Sequence, residues 1–187
     1  MTLTIPSIVH GIAAVVTFLG DPRFWLVLAL LLLTVLTFFR KAQRKKVVSV
    51  AEFVLFKAFP LIIIAFGSAI VLQFLLKVQR PCEGLLVCPS SYSFPSAHAA
   101  VAFAIFIVLG LSGKKVSKKR FLLLLIPAFL VAWSRVELGV HEPVDVMGGA
   151  VLGTLVGIAY SAFWTFREQI ASAITGGKLS VPMGKRR

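Results

Sequence analysis

The chain has 187 residues, 58% of them hydrophobic and 14% charged, with 20 Lys and Arg against 7 Asp and Glu. Soluble domains average about half apolar and a quarter charged, so this composition excludes an ordinary soluble protein and predicts an all-α, polytopic transmembrane helix bundle. The length suits a single membrane-embedded domain over residues 1–187.

In chain order, the first apolar stretch runs from Ile5 to Leu19 and stops at Gly20-Asp21-Pro22, a strong helix terminator. It is shorter than the roughly 20 helical residues that cross a hydrocarbon core of about 30 Å. Met1 to Leu19 carries no Lys or Arg, which argues against a signal peptide. The segment therefore reads as a short interfacial helix anchored near His10, with a sixth span as the alternative. Five spans follow: Phe24 to Phe39, Phe53 to Leu76, Ala97 to Leu111, Phe121 to Trp133 and Val144 to Phe166. Three of them are short and borrow flanking residues to cross. Unbroken apolarity over these lengths argues for helix, because barrel strands alternate.

Basic residues cluster after the first span (Arg40, Lys41, Arg44, Lys45, Lys46), after the third (Lys114, Lys115, Lys118, Lys119, Arg120) and after the fifth (Arg167, Lys178, Lys185, Arg186, Arg187). The positive-inside rule makes these places cytoplasmic, with the N-terminus outside and the C-terminus inside a plasma membrane. Topology explains the basic runs, no nucleic-acid motif accompanies them, and anionic lipid headgroups are their expected contacts. Gly149, Gly153 and Gly157 recur every fourth residue on the last span. That stripe predicts close helix packing, within the chain or against a second copy in a homo-oligomer.

This topology places three polar blocks on the outer face: Lys77 to Pro81, Pro95-Ser96-Ala97-His98, and Ser134-Arg135 with His141 and Asp145. Charges near the hydrocarbon are costly, and such a cluster predicts a site. Cys82 and Cys88 share the loop after the first block, and in an oxidising compartment they are candidates for a disulfide.

The residue types suit phosphate binding and transfer. Arg80 and Arg135 can bind phosphate oxygens bidentately, and Ser96 adds a hydroxyl at a helix start where backbone N–H groups, including that of Ala97, favour anions. Asp145, four residues beyond His141, can hold one imidazole nitrogen and leave the other as a nucleophile. His98 then serves as the acid that protonates the leaving oxygen and the base that activates water. The scheme uses no cofactor and no metal.

Arg80-Pro81, Pro95-Ser96-Ala97-His98 and Ser134-Arg135 with His141 and Asp145 resemble the three signature motifs of the type-2 phosphatidic acid phosphatase superfamily, the integral-membrane lipid phosphatases. The resemblance implies the roles just given. It also implies a lipid phosphate or diphosphate as substrate at the outer face, with hydrolysis of a polyprenyl (undecaprenyl-type) diphosphate to the monophosphate as its leading form. Phosphatidic acid or phosphatidylglycerophosphate hydrolysis, lipid phosphotransfer, and a non-catalytic lipid transporter or scaffold are the alternatives. Two positions depart from the family. Ala97 stands where glycine is usual, and Gln73 stands where the family has a lysine six residues before the Arg-Pro pair. Lys77, one helical turn on, is the candidate to take over that lysine's phosphate contact.

Overall fold

The computed structural model describes residues 5–25, 27–28, 30–31, 57–82, 88–111 and 118–174. All regular structure in these residues is helical. Helix α1, Ile5–Val16, runs into a 3-10 turn, Thr17–Gly20, and residues 22–25 are helical again. Four longer helices follow: α2, Phe59–Leu76; α3, Ala97–Leu111; α4, Lys118–Glu137; and α5, Pro143–Ile174. Of the first predicted span, residues 32–39 lie outside the described residues, as do 53–56 of the second and the basic residues at 40–46, 114–115 and 178–187. Among the described residues, α2 and α5 are long and apolar enough to cross a membrane, while α3 is a shorter apolar helix. At 1.5 Å per residue α5 is about 48 Å long, so it outruns a hydrocarbon core.

Helix α3 is the axis of the bundle. It packs against α2, α4 and α5 and is buried nearly all round, because its sequence is rich in alanine at 97, 99, 100, 102 and 104. Small side chains let neighbouring backbones approach, the usual way to pack helices where lipid removes the hydrophobic drive between them. The closest approach is to α5. Ideal Cβ atoms added at Gly149 and Gly153 would collide with the carbonyl oxygens of Ser96 and Ala100, and one at Gly157 would lie 3.0 Å from Ala104 O. The glycine stripe thus faces α3 of its own chain, one of the two packings open from sequence alone. Gly153→Ala is expected to destabilise the protein by about 2 kcal/mol or more, since the clash is with backbone that cannot rotate away. Gly67, whose added Cβ would meet nothing within 4 Å, supplies the matched control; thermal unfolding in detergent that treats Gly153→Ala and Gly67→Ala alike would refute this packing.

Around this core many large side chains point outward, including Leu75, Leu122, Phe129, Met147, Val151 and Leu155, the pattern of a lipid-facing surface. The C-terminal ends of α2 and α4 and the N-terminal ends of α3 and α5 gather at one end of the bundle. About 30 Å further along α5, Trp164 lies close to two cations, Lys57 Nζ at 5.1 Å and Arg167 Cζ at 4.8 Å from its ring. Lys57 also pairs with Glu168 at 3.6 Å. Aromatic and basic residues therefore mark the end remote from the polar blocks.

Candidate active site

The third polar block is a helix stop followed by a helix start. Arg135 sits in the last turn of α4, and the chain closes that helix with hydrogen bonds from Gly139 N–H to Val136 O (2.9 Å) and from Val140 N–H to Arg135 O (3.3 Å). This is a Schellman cap, which requires a left-handed residue, and Gly139 supplies it with φ +68°. Two residues later comes His141, and at Pro143 α5 begins. Asp145, in the first turn of α5, accepts the Glu142 N–H at 2.8 Å, half of a capping box. The same carboxylate oxygen lies 3.3 Å from His141 Nδ1. One acidic side chain thus caps the helix and backs the imidazole.

On its other edge, His141 Nε2 is 3.1 Å from an Arg80 guanidinium nitrogen. Arginine only donates, so Nε2 must accept; the proton therefore resides on Nδ1, facing Asp145. The lone pair at Nε2 accepts from Arg80, and the ring lines the cavity. Ser93 completes the arrangement, donating a short hydrogen bond to Asp145 Oδ2 and lying 3.3 Å from His141 Nδ1. Burial, then the charges of Arg80 and Arg135, lower the pKa of His141 to about 4, against the opposing pull of Asp145. The free base is consequently the form present at neutral pH. Burial also lowers the pKa of Arg80, with Asp145 opposing.

Arg80 lies just beyond the end of α2 and is held from three sides, by Ser91 O (2.6 Å), Ser91 Oγ (2.8 Å) and Val140 O (2.8 Å). A disulfide joins Cys82 to Cys88 with the Cα atoms 5.5 Å apart, within the loop that carries both Arg80 and Ser91. The second block forms the start of α3. Ser96 is fully buried and its N–H donates to Asp145 O at 2.9 Å, so this amide is spent on α5 rather than free for an anion. Its hydroxyl oxygen is buried without a partner, as is Arg135 Nε.

Arg80, Ala97, His98, Arg135 and His141 line one cavity of about 340 Å3. The structure does not bring Lys77 there. Lys77 caps α2 in the left-handed region, φ 51°, so the chain turns away from the helical path at that residue and leaves its side chain exposed. Gln73 faces the cavity instead, 2% exposed, with Nε2 donating to Pro95 O at 2.8 Å.

Several lining residues lie outside the sequence motifs. Gly20 packs so tightly that an added Cβ would sit 2.7 Å from His98 O, and this docking brings Thr17, Asp21 and Arg23 to the cavity wall. Thr17 Oγ1 accepts from Arg135 at 2.6 Å, and Asp21 Oδ2 is 3.9 Å from His98 Nε2. The Gly20-Asp21-Pro22 stop carried a signal for this: Asp21 is a carboxylate beside the membrane on the face that holds the polar blocks. Among the described residues, no cluster of His, Cys, Asp and Glu has the makings of a metal site.

Residues 63–169, more than half of the chain, match the PAP2 superfamily. The chain belongs to this superfamily. A transmembrane PAP2-type phosphatidylglycerolphosphate phosphatase from Bacillus subtilis superposes with a TM-score of 0.57 at 28% identity, covering 86% of this chain and 77% of its own. Phosphatidylglycerophosphatase B of Bacillus subtilis is 37% identical over 107 residues, 51% of this chain and 53% of that protein. An undecaprenyl-diphosphatase of Sulfolobus acidocaldarius is 40% identical over 68 residues, 36% of this chain and 32% of that protein. The chain thus spans about a third to a half of these curated relatives. All three carry the name of a phosphatase.

Proposed function

We propose that this chain is a membrane lipid phosphatase that forms a covalent phosphohistidine at His141, with a polyprenyl diphosphate as its substrate and the monophosphate as its product. The observation that carries the reading is the state of His141: Nδ1–H directed at Asp145, and an unprotonated Nε2 between Arg80 and the cavity. An imidazole in that state is a nucleophile of fixed tautomer.

As the Arg80 N–H moves from Nε2 to a phosphate oxygen, Nε2 attacks the terminal phosphorus, and the bond from phosphorus to the bridging oxygen breaks. The electron pair leaves with that oxygen, which His98 protonates. Arg80 and Arg135 neutralise the equatorial oxygens of the transition state, and the unpartnered Arg135 Nε gains a phosphate oxygen as partner; Ser96 is fully buried and does not line the cavity. Water, deprotonated by His98, then attacks the phosphohistidine, inorganic phosphate departs and His141 returns to its free base. Guanidinium groups fill the charge-neutralising role, so no step calls on a metal.

Five spans with an outside N-terminus and the site at the outer face form the topology we favour. Support comes from the site and the Lys57, Trp164 and Arg167 cluster occupying opposite ends of the bundle, with basic residues favouring the cytoplasmic side. The undecaprenyl-diphosphatase relative supports a polyprenyl diphosphate, and the phosphatidylglycerophosphatase relative supports phosphatidylglycerophosphate as the second candidate. Purified protein in detergent with EDTA is expected to release phosphate undiminished, fastest from the polyprenyl diphosphate, then from phosphatidylglycerophosphate and phosphatidic acid. Loss of release on chelation would overturn the scheme, and release from none of the three would turn the assignment toward phosphotransfer or a non-catalytic role.

A further inference from the structure

Phosphate chemistry at this site lacks a cation where the family carries one. Gln73 brings no charge: one N–H of its amide donates to Pro95 O, and its other polar atom, Oε1, is a buried acceptor without a partner. An acceptor does not bind a phosphate oxyanion. Lys77 is exposed and absent from the lining. The cavity nonetheless holds a third guanidinium beside those of Arg80 and Arg135, and it comes from the opposite end of the sequence. Arg23 lines the same space.

Arg23 differs from the other two in its setting. Arg135 is 7% exposed and bonded to Thr17, and Arg80 is held by Ser91, Val140 and His141. Arg23 is exposed at the rim, and its hydrogen bond among the described residues runs through its backbone, from its N–H to Asp21 Oδ1 at 2.8 Å. That bond, together with the clamp of Gly20 against His98 O, fixes the backbone that carries Arg23 beside the acid/base histidine. The guanidinium itself stays uncommitted among the described residues. At about 30 Å3 per water-sized group, 340 Å3 also holds more than a lone phosphate fills. Phe66 and Ile70 of α2 give the cavity an apolar wall.

We infer that Arg23 is a specificity-determining residue that binds the inner phosphate of a lipid diphosphate, the one joined to the tail, while Arg80 and Arg135 hold the terminal phosphate at His141. The assignment rests on the phosphatase reading above and deepens it. When His141 Nε2 bonds to the terminal phosphorus, the leaving group is the lipid monophosphate, and negative charge grows on the bridging oxygen between the phosphates. Arg23 neutralises that group and His98 supplies its proton. A lipid monophosphate has no inner phosphate and gains nothing from Arg23. The N-terminal segment is then part of the site, and the tail leaves along Phe66 and Ile70.

The test uses the full-length protein in detergent with EDTA, as wild type, Arg23→Gln and Arg23→Lys. Binding of inorganic pyrophosphate and of orthophosphate is measured by calorimetry, and turnover is followed with farnesyl diphosphate and farnesyl monophosphate, which share one tail. Arg23→Gln is expected to weaken pyrophosphate binding and to lower kcat/KM for the diphosphate, each about 10-fold, one charge-assisted hydrogen bond's worth. The monophosphate and orthophosphate values change less than about 2-fold, and Arg23→Lys recovers most of the loss. Equal losses on both substrates, no loss on either, or a wild type that binds pyrophosphate no better than orthophosphate would overturn the role of Arg23. Turnover without discrimination by Arg23→Gln leaves the phosphatase reading standing. A pyrophosphate preference that depends on Arg23 in a protein that turns over neither substrate leaves Arg23 standing and removes the phosphatase.

Discussion

His141→Ala is expected to abolish phosphate release, lowering kcat by about 10^4-fold or more, while the protein stays folded. Removing the nucleophile of a covalent mechanism deletes its first bond, and the remaining groups act only by holding the substrate. The companion variant is more informative. In His98→Ala the first step on a diphosphate still proceeds, because a lipid monophosphate is a tolerable leaving group beside Arg23, Arg80 and Arg135. The second step suffers more, since water then has no base. Label from a terminally labelled substrate should therefore accumulate on His98→Ala in a bond that acid breaks and alkali spares, the behaviour of a phosphoramidate. It should never appear on His98→Ala/His141→Ala. Equal labelling of the single and double variants would place the covalent bond elsewhere or nowhere.

The spacing of the third block was legible in the sequence, and the fold gives its physical reason. Arg135 is at the third position from the end of α4, Gly139 is the left-handed residue of the cap, Pro143 is the first residue of α5 and Asp145 the third. Helix-capping rules fix each offset, so the distance between Arg135 and His141 in the chain is the length of one helix-to-helix turn. The helical class was equally legible, because long apolar runs have few alternatives in lipid.

What the sequence concealed is what depends on contacts remote in the chain. Ser93 reads as one of several serines in a loop, and only the folding of that loop over α5 puts it against Asp145. The N-terminal segment reads as an interfacial helix with a stop. Its role in the wall of the cavity rests on Gly20 fitting against His98 O and Val131, a packing event without periodicity. Lys77 shows the opposite failure: one helical turn from Gln73, it shares that residue's face only if the helix continues, and α2 ends at Leu76.

Asp145→Asn is the substitution that separates orientation from protonation. One oxygen, Oδ2, accepts the Glu142 N–H and the Ser93 hydroxyl and also faces His141 Nδ1, so an asparagine that turns its amide nitrogen to His141 gives up the Glu142 N–H, at a cost of about 1 kcal/mol in the cap of α5, and leaves the fold otherwise intact. That amide nitrogen presents a donor to His141 Nδ1 and favours the tautomer with the proton on Nε2. That proton would oppose the Arg80 donor and remove the lone pair that attacks phosphorus. The expected fall in kcat/KM is about 10^3-fold or more, near 4 kcal/mol of transition-state stabilisation. The pH dependence carries the argument. Asp145 raises the pKa of His141, which burial, Arg80 and Arg135 hold down at about 4, so removing the carboxylate lowers that pKa further. The variant's imidazole is thus, if anything, more completely deprotonated at neutral pH than the wild type's, and still slower. Raising the pH from 6 to 8 is expected to recover none of the lost activity relative to wild type. Recovery over that range would mean that His141 had become protonated, and that Asp145 acts on the charge of the imidazole rather than on which nitrogen holds its proton.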